Sequence, residues 1–336
     1  MKLIVKLLIL AAVGLVIACS SSDKEYQNNH LEPIAKNPFK FLYVRFFGDT
    51  RWSDQAAEAY RVPRQDVDLE LLKDEHAGTK VTWLGHSSFL VQLPELTFLT
   101  DPVFSERVSP VSFAGPKRLV PLTFKPEDLP SVDFVVISHN HYDHLDKKAI
   151  KHFGNSTHYF VPEGLGIWFE KMDIKPSNIT ELPWWGSQQK GDALITATPS
   201  QHWSARGLFD RNKSHWASWL IEFKGKRYWF AGDTGYNPYD FKEIGERAEE
   251  IDLAFIPIGA YSPRGFMKDQ HVNVPEAIKV HQDVKAKLSI GMHWGTYPLT
   301  AEPVMEPAEL LEDLSSKQAA SAPFITMKMG ETLVLD

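Results

Sequence analysis

The feature that most restricts what this chain can fold into is a cluster of histidines behind a short apolar run. Residues 133–137 have the composition of a buried strand, and His139, His141, Asp143 and His144 follow within seven positions. Imidazole and carboxylate are ligands that Zn²⁺ accepts, and a catalytic zinc keeps one position for water. Burying these groups without a metal would be costly, so the cluster predicts a metal site at a strand end.

From residue 80 onward, strand-like and helix-like segments alternate, which predicts an α/β domain with hairpins near its start. The strand-like runs are 81–84, 89–93, 97–100, 132–138, 194–198, 216–222, 227–231, 253–257 and 288–292. The helical patterns are 146–153, 163–172, 239–247, 274–280 and 307–316. No Pro/Gly-rich break divides residues 80–336, so we interpret them as one catalytic domain.

The start of the chain resembles a secretory signal peptide. Lys2 and Lys6 precede an apolar run that ends in small residues before Cys19. The alternative is an uncleaved membrane anchor, but residues 7–18 do not comfortably span about 30 Å of hydrocarbon. Residues 1–18 are therefore predicted to be removed.

The string VIAC at 16–19 resembles a bacterial lipobox, which implies that Cys19 becomes the lipid-modified first residue. Cys19 is the only cysteine of the chain, so an internal disulfide is impossible and a Cys-ligated zinc is not expected. Ser20 in the next position resembles sorting to the periplasmic face of the outer membrane. Residues 19–37 are then a lipidated tether and residues 38–79 an N-terminal extension.

Charge and composition restrict the kinds of molecule that the chain can bind. The formal net charge is -7, which argues against electrostatic steering onto nucleic acid or an anionic lipid surface. Hydrophobic residues make up 43% of the chain, enough for a buried core. An anionic substrate would have to be bound by local positive charge, for which a metal ion is the natural source.

Three further residues follow predicted strands. His202, Asp233 and His293 stand behind the runs 194–198, 227–231 and 288–292. Each one alone is as compatible with a structural histidine or a turn aspartate as with a ligand. Their common position at strand ends predicts that one rim of a sheet gathers them.

With these residues the sequence resembles the metallo-β-lactamase superfamily, whose signature matches His139-x-His141-x-Asp143-His144. The resemblance implies a four-layer αββα sandwich and two Zn²⁺ ions, although iron or manganese accept the same ligand types. It implies that His139, His141 and His202 bind one ion. It assigns Asp143, His144 and His293 to the other ion, with Asp233 bridging both.

A closer resemblance covers most of residues 80–336 and points to N-acylphosphatidylethanolamine-hydrolysing phospholipase D. It rests on WLGH at 83–86, LTDP at 99–102, GPKR at 115–118, SHNHYDHLD at 138–146, TPSQHW at 198–203, IPIGAY at 256–261 and HWGT at 293–296. In that family the string MKDQHV, here at 267–272, places a histidine near the metals. His271 is thus a candidate catalytic residue, with a hydrogen-bonded structural histidine as the alternative.

The expected chemistry is hydrolysis of a phospholipid or other small phosphodiester by a hydroxide held between two metals. Asp143 and Asp233 are candidates to orient that hydroxide. Asp101 and Asp146 are candidates to accept the second N–H of ligand imidazoles, or else to cap helices and turns. The lipid anchor would hold the enzyme at a membrane surface.

Two other functions remain open. The same metals could attack a carbonyl group, as in a lactonase or another ester or amide hydrolase. The other alternative is a non-catalytic envelope lipoprotein that retains the fold. A binding module of that kind would be expected to have lost some of the metal ligands.

Overall fold

The computed structural model describes residues 24–32, 43–45, 47–74, 76–207, 209–317 and 322–335. The predicted signal peptide at 1–18 and the predicted lipidation site Cys19 lie outside these residues. Within them, no helix is both long enough and apolar enough to cross a bilayer.

Two seven-stranded sheets form the centre of the molecule. The first contains β1 (Thr79–Gly85), β2 (Ser88–Leu93), β3 (Leu96–Thr100), β4 (Phe134–Val136), β5 (His158–Pro162) and β6 (Ile179–Leu182), with β14 (Thr332–Leu335) beside β1. The second contains β7 (Ser187–Lys190), β8 (Ala193–Thr198), β9 (Ser218–Phe223), β10 (Lys226–Phe230), β11 (Leu253–Pro257), β12 (Ser289–Met292) and β13 (Phe324–Ile325). In each sheet an antiparallel half continues into a parallel half.

Seven α-helices whose bounds are fully described complete the fold. They are α1 (Leu69–Lys73), α2 (Lys147–Phe153), α3 (Gly166–Glu170), α4 (Asp240–Arg247), α5 (Arg264–Met267), α6 (Val274–Asp283) and α7 (Glu306–Ser316). Helix α2 begins where the Asp146 side chain accepts the Lys148 N–H, and α6 begins at Asn273 in a reciprocal capping arrangement with Glu276.

The alternation of side chains along β4 explains the layers. Phe134 and Val136 point into the core between the sheets, where Phe160 and Trp219 also lie. Val135 belongs instead to a second core, formed with helices α2 and α3 on the outer face. Helices α4, α6 and α7 cover the other sheet in the same way. Because the central strands of each sheet are buried on both faces, the predicted four-layer αββα sandwich is confirmed.

Part of the N-terminal extension packs against the end of the catalytic domain. Ser53 donates its backbone N–H to Ala301 at 3.1 Å, and the Gln55 carboxamide donates to the backbone oxygen of Glu302 at 2.6 Å. Val62 is buried in the main core. The extension therefore contributes to the folded body.

Residues 24–32, here called the N-terminal arm, also lie against the domain. Tyr26 is buried, and its backbone N–H donates to the oxygen of Asn212 at 3.0 Å. Lys24 pairs with Glu163 at 2.8 Å. The tether predicted for 19–37 is thus not free along its described part. Its polar side chains form hydrogen bonds and an ion pair with the domain. The polar composition of the segment alone does not predict these contacts.

His215 beneath the arm gives a prediction about acid stability. Its ring lies between Tyr26 and Trp184, with centroids 4.6 and 4.2 Å away, and its Nδ1 accepts the Trp216 N–H at 2.9 Å. Burial, followed by the charge of Lys24, lowers the pKa of His215 to about 3. In the unfolded chain His215 takes up a proton near pH 6.5. The contribution of neutral His215 to the unfolding free energy is therefore complete above that pH and is lost as the pH drops towards 3.

We therefore expect His215→Gln to flatten the pH dependence of the unfolding free energy by roughly 1.4 kcal/mol per pH unit between about pH 6 and 4. Urea denaturation of metal-free protein at a series of pH values measures this slope. His76→Gln, at an exposed histidine, should leave the slope unchanged. Parallel curves for wild type and His215→Gln would contradict the assignment.

Candidate metal centre

One edge of the paired sheets gathers the candidate ligands. Strands β1 and β4 run in the same direction within the first sheet, as do β8, β10 and β12 within the second. The residues that follow the carboxyl ends of these strands therefore meet. They are His86, His139, His202, Asp233 and His293.

The backbone at this edge turns sharply to direct the side chains inward. Gly232, directly before Asp233, has φ of 59°, a conformation that favours glycine. A Cβ atom on Gly232 would also lie 2.5 Å from the Cβ of Ser138. His86 and His293 have left-handed backbones as well, with φ of 54° and 63°. The rim is thus under conformational constraint.

His139, His141 and His202 form the first group of candidate ligands. The His139 Nε2 atom lies 2.8 Å from Nδ1 of His141, and His202 Nε2 lies 3.3 Å from that same Nδ1. Around a tetrahedral zinc with bonds of about 2.0–2.1 Å, ligand nitrogens are roughly 3.3 Å apart. Three basic nitrogens converging at such distances fit a divalent metal ion.

The second group contains Asp143, His144 and His293. His293 Nε2 lies 3.2 Å from His144 Nε2 and 3.4 Å from Asp143 Oδ2. His144 Nε2 is 3.5 Å from the same carboxylate oxygen. This set offers two nitrogens and one oxygen, again a donor set that zinc accepts.

Asp233 lies between the two groups. Its Oδ1 is 3.1 Å from His293 Nε2, and its Oδ2 is 3.1 Å from His144 Nε2. The same Oδ2 lies 3.9 and 3.8 Å from Nε2 of His139 and His202. The seven predicted ligands are therefore brought together with Asp233 in the position of a bridge, while their binding of metal stays a prediction.

Electrostatics differ between the groups. Burial lowers the pKa of His139 and His202 well below the usual value and that of His141 to about 4. These rings are thus neutral in the metal-free protein and ready to donate lone pairs.

In the second group, burial opposes ionisation but the carboxylates outweigh it. Despite burial, Asp233 and Asp143 raise the pKa of His144 well above its usual value and that of His293 to about 9. Burial would likewise raise the pKa of Asp233, yet the imidazoles of His144 and His293 hold it well below the usual range. The acids are therefore available as anionic oxygen donors.

Neighbouring groups hold the ligand rings in place. Asp101 Oδ2 lies 2.6 Å from His144 Nδ1, as predicted for a partner of a ligand imidazole. Ser138 Oγ lies 2.9 Å from His139 Nδ1. The backbone oxygen of Gln270 is 3.0 Å from His202 Nδ1. Such contacts leave the Nε2 atoms of these histidines directed at the candidate metal positions.

Asp146 does not contact a ligand imidazole, so that expectation is wrong. Its Oδ2 accepts the backbone N–H groups of Phe104 and Ser105, both at 2.9 Å, and its Oδ1 caps α2. The alternative of a capping residue is the observed one. Helix geometry explains this, because the first-turn N–H groups need an acceptor.

His86 is a site residue that the sequence reasoning did not single out. Its side chain is fully buried, and its Nε2 lies 3.0 Å from Asp143 Oδ2. Its ring centroid is 4.0 Å from that of His293. The signal was present, since His86 follows a strand just as His293 does.

Two other residues complete the surroundings. His271 Nδ1 lies 3.9 Å from Asp233 Oδ2, and its ring packs beside His202. His271 is therefore next to the ligands, as expected, with its catalytic role still a prediction. Arg206, which the sequence reasoning did not consider, donates to the Asn140 oxygen at 2.9 Å and stacks on Tyr142 at 4.0 Å. These contacts stabilise the segment 139–144, which carries four of the candidate ligands.

Comparison with known proteins identifies the family of the chain. The pattern of the Beta-lactamase superfamily domain matches residues 97–294. The chain is 41% identical to "N-acyl-phosphatidylethanolamine-hydrolyzing phospholipase D 1" of Caenorhabditis elegans over 92% of this chain and 90% of that protein. It is 37% identical to the mitochondrial N-acyl-phosphatidylethanolamine-hydrolyzing phospholipase D of Saccharomyces cerevisiae, over 78% of this chain and 58% of that protein.

Solved structures share the fold at lower sequence identity. A metallo hydrolase from Ignicoccus hospitalis superimposes with a TM-score of 0.57 at 22% identity, covering 77% of this chain and 98% of that one. An isothiocyanate hydrolase from Delia radicum gut bacteria gives 0.62 at 17% identity, covering 76% and 99%. The chain is a metal-dependent hydrolase. It belongs to the metallo-β-lactamase superfamily and, within it, to the family of N-acyl-phosphatidylethanolamine-hydrolyzing phospholipases D.

Proposed function

We propose that this chain is a binuclear zinc phosphodiesterase that hydrolyses phospholipids of the N-acylphosphatidylethanolamine type, in the manner of phospholipase D. The observation that carries the proposal is the pair of largely buried candidate ligand groups with Asp233 between them. The identity to relatives that bear this activity in their names supports the substrate class.

Different residues would have different roles in the hydrolysis. Bound zinc would supply Lewis acidity and a water molecule with a pKa near 7. Asp233 and Asp143 would contribute the negative charge needed to hold two cations close together. His271, beside Asp233 and 9% exposed, would give a proton to the oxygen of the departing alcohol.

A cavity of about 350 Å³ beside His202 offers room for part of a lipid substrate. Ligand pockets in proteins commonly have volumes of roughly 300–1,000 Å³. Its walls include Leu31 and Trp203 as apolar groups, Glu25 and Arg211 as charged groups, and Gln270. Mixed walls of this kind suit a molecule with both acyl and polar portions.

The predicted lipid anchor fits the same substrate class. Lipidation of Cys19 would hold the chain at the periplasmic face of the outer membrane of a bacterial envelope, where its phospholipid substrates lie. Only four residues would separate Cys19 from the start of the N-terminal arm at Lys24, which would keep the domain close to the lipid surface.

Metal reconstitution combined with a substrate panel tests the proposal. Protein stripped with a chelator should lose hydrolysis of N-acylphosphatidylethanolamine in liposomes and regain it fully after two equivalents of Zn²⁺. Phosphatidylethanolamine, a soluble aryl phosphodiester, a lactone and a β-lactam complete the panel. We expect phosphodiester cleavage, with the N-acylated lipid preferred.

The control variants separate metal loss from general damage. His139→Ala should bind fewer zinc ions and lose turnover, whereas His76→Ala, at an exposed histidine, should behave as wild type. Turnover of the lactone or the β-lactam without any phosphodiester cleavage would refute the proposed substrate class while keeping the metal centre. Full activity after metal removal would refute both.

A further inference from the structure

The side chain of Asn28 pairs with the backbone of a ligand residue far away in the sequence. Its Oδ1 accepts the backbone N–H of His202 at 3.0 Å, and its Nδ2 donates to the backbone oxygen of His202 at 2.9 Å. A carboxamide offers the same donor and acceptor as a peptide group. Asn28 therefore pairs with His202 much as a neighbouring strand would.

We propose that Asn28 is a positioning residue for His202 and that the N-terminal arm is a structural part of the metal centre. The proposal rests on the proposed metal-binding role of His202 but not on the identity of the substrate.

His202 depends on this contact because it stands outside the sheet. It follows the end of β8 by four positions and precedes β9 by a long irregular segment. Among the described residues, no backbone group pairs with the N–H or the oxygen of His202. The Gln270 oxygen orients the imidazole ring, and Asn28 holds the peptide groups from which that ring extends.

A third hydrogen bond fixes the orientation of the Asn28 carboxamide. Trp216 Nε1 donates to Asn28 Oδ1 at 3.1 Å and to the Ser200 oxygen at 2.9 Å. Trp216 is almost fully buried, so this donor has a fixed position. Two donors face Oδ1 and one acceptor faces Nδ2, which leaves a single favourable orientation of the amide.

Contacts on both sides of Asn28 keep the arm in place. Before it, Tyr26 bonds to Asn212 through its backbone and packs its ring against His215. After it, Asn29 donates to Asp240 Oδ1 at 3.0 Å, and the ring of His30 lies 4.6 Å from that of Tyr239. Asn28 is thus held at the centre of an anchored segment.

The group formed by His139, His141 and His202 should consequently depend on the arm more than the other group does. Removing an outer partner of a metal ligand typically costs about 10- to 100-fold in metal affinity. We expect this loss for one of two zinc equivalents in Asn28→Ala. The second equivalent, bound through Asp143, His144 and His293, should change little.

Asn28→Asp provides a test that preserves the shape of the side chain. The carboxylate keeps the acceptor for His202 N–H and Trp216 but places an oxygen against the His202 carbonyl. A zinc affinity loss as large as that of Asn28→Ala is expected. Asn29→Ala is the matched control, since it removes a neighbouring arm contact that does not touch a ligand.

Two measurements decide the proposal. Competition with a chromophoric chelator gives the two zinc affinities, and hydrogen exchange of the metal-free protein reports on the amide protection of residues 199–204. We expect weaker binding at one site and faster exchange in both Asn28 variants, with Asn29→Ala as wild type. Zinc affinities within twofold of wild type in both Asn28 variants would overturn the proposal, whatever the exchange rates.

The same experiment distinguishes failure of the metal centre from failure of the positioning role. If wild-type protein bound no zinc, the proposed function would fail at that point. Unchanged exchange at 199–204 in both Asn28 variants would separately show that Asn28 does not hold the His202 backbone, and would overturn the inference even in a protein that binds two zinc ions.

Discussion

Asp233→Asn is expected to reduce turnover of every substrate on the order of a thousandfold, about 4 kcal/mol of barrier, while the protein stays folded. Asp233 contacts the second ligand group through both oxygens, with Oδ1 3.1 Å from His293 Nε2 and Oδ2 3.1 Å from His144 Nε2. Its Oδ2 also faces the first group, 3.8 Å from His202 Nε2 and 3.9 Å from His139 Nε2. An asparagine replaces one of these oxygens with an NH₂ group that cannot bind a cation, so the bridge is lost.

Turnover in the liposome assay, zinc content and circular dichroism of Asp233→Asn measure this effect. Asp252→Asn is a suitable control, because Asp252 accepts the Arg227 N–H and pairs with Lys287 far from the metal centre. That control should retain wild-type turnover. An Asp233→Asn protein with wild-type activity would show that Asp233 does not hold the reacting centre together.

Asp101→Asn should have the next largest effect. Asp101 is fully buried and accepts the Ser138 N–H at Oδ1, while Oδ2 faces Ser138 Oγ and His144 Nδ1. An asparagine NH₂ group facing Nδ1 would move the ring proton to Nε2, the atom of His144 that faces the metal position. We expect zinc affinity to fall by about 10- to 100-fold.

Asp146→Asn is the matched control for Asp101→Asn, because Asp146 is a nearby buried carboxylate that contacts no ligand ring. It should lower the unfolding free energy by about 1–3 kcal/mol, since backbone donors would lose their acceptor, and leave zinc affinity unchanged. Zinc affinities are measured by chelator competition. Equal affinities for the two variants would show that Asp101 does not orient His144 for metal binding.

Much of the fold follows from the sequence because its strands are apolar on both faces. The run at β4 predicts a buried strand, and its alternate side chains do enter two cores. Strand β7 has the opposite character: it reads Ser-Gln-Gln-Lys, and all four residues are exposed. Pairing with β8 stabilises it, and no local pattern predicts such an edge strand.

The same contrast applies to the metal centre. Imidazoles and carboxylates that follow strands can be found by their position, because parallel strands end at one edge. Asn28 cannot be found in this way. It acts on the backbone of a residue 174 positions later, and backbone groups carry no sequence signal. A polar residue in an aperiodic segment looks the same whether it faces water or a peptide group.

The pairing of β1 with β14 determines when the first sheet can form completely during synthesis. Strand β1, which leads into His86, has its outer neighbour at Thr332–Leu335, and the paired residues Thr82 and Thr332 are 250 positions apart in the sequence. A growing polypeptide therefore cannot close this sheet until residues 332–335 have left the ribosome. For a precursor that carries the predicted signal peptide, late closure would leave the chain open for passage through a translocation channel and defer assembly of the metal centre until after export.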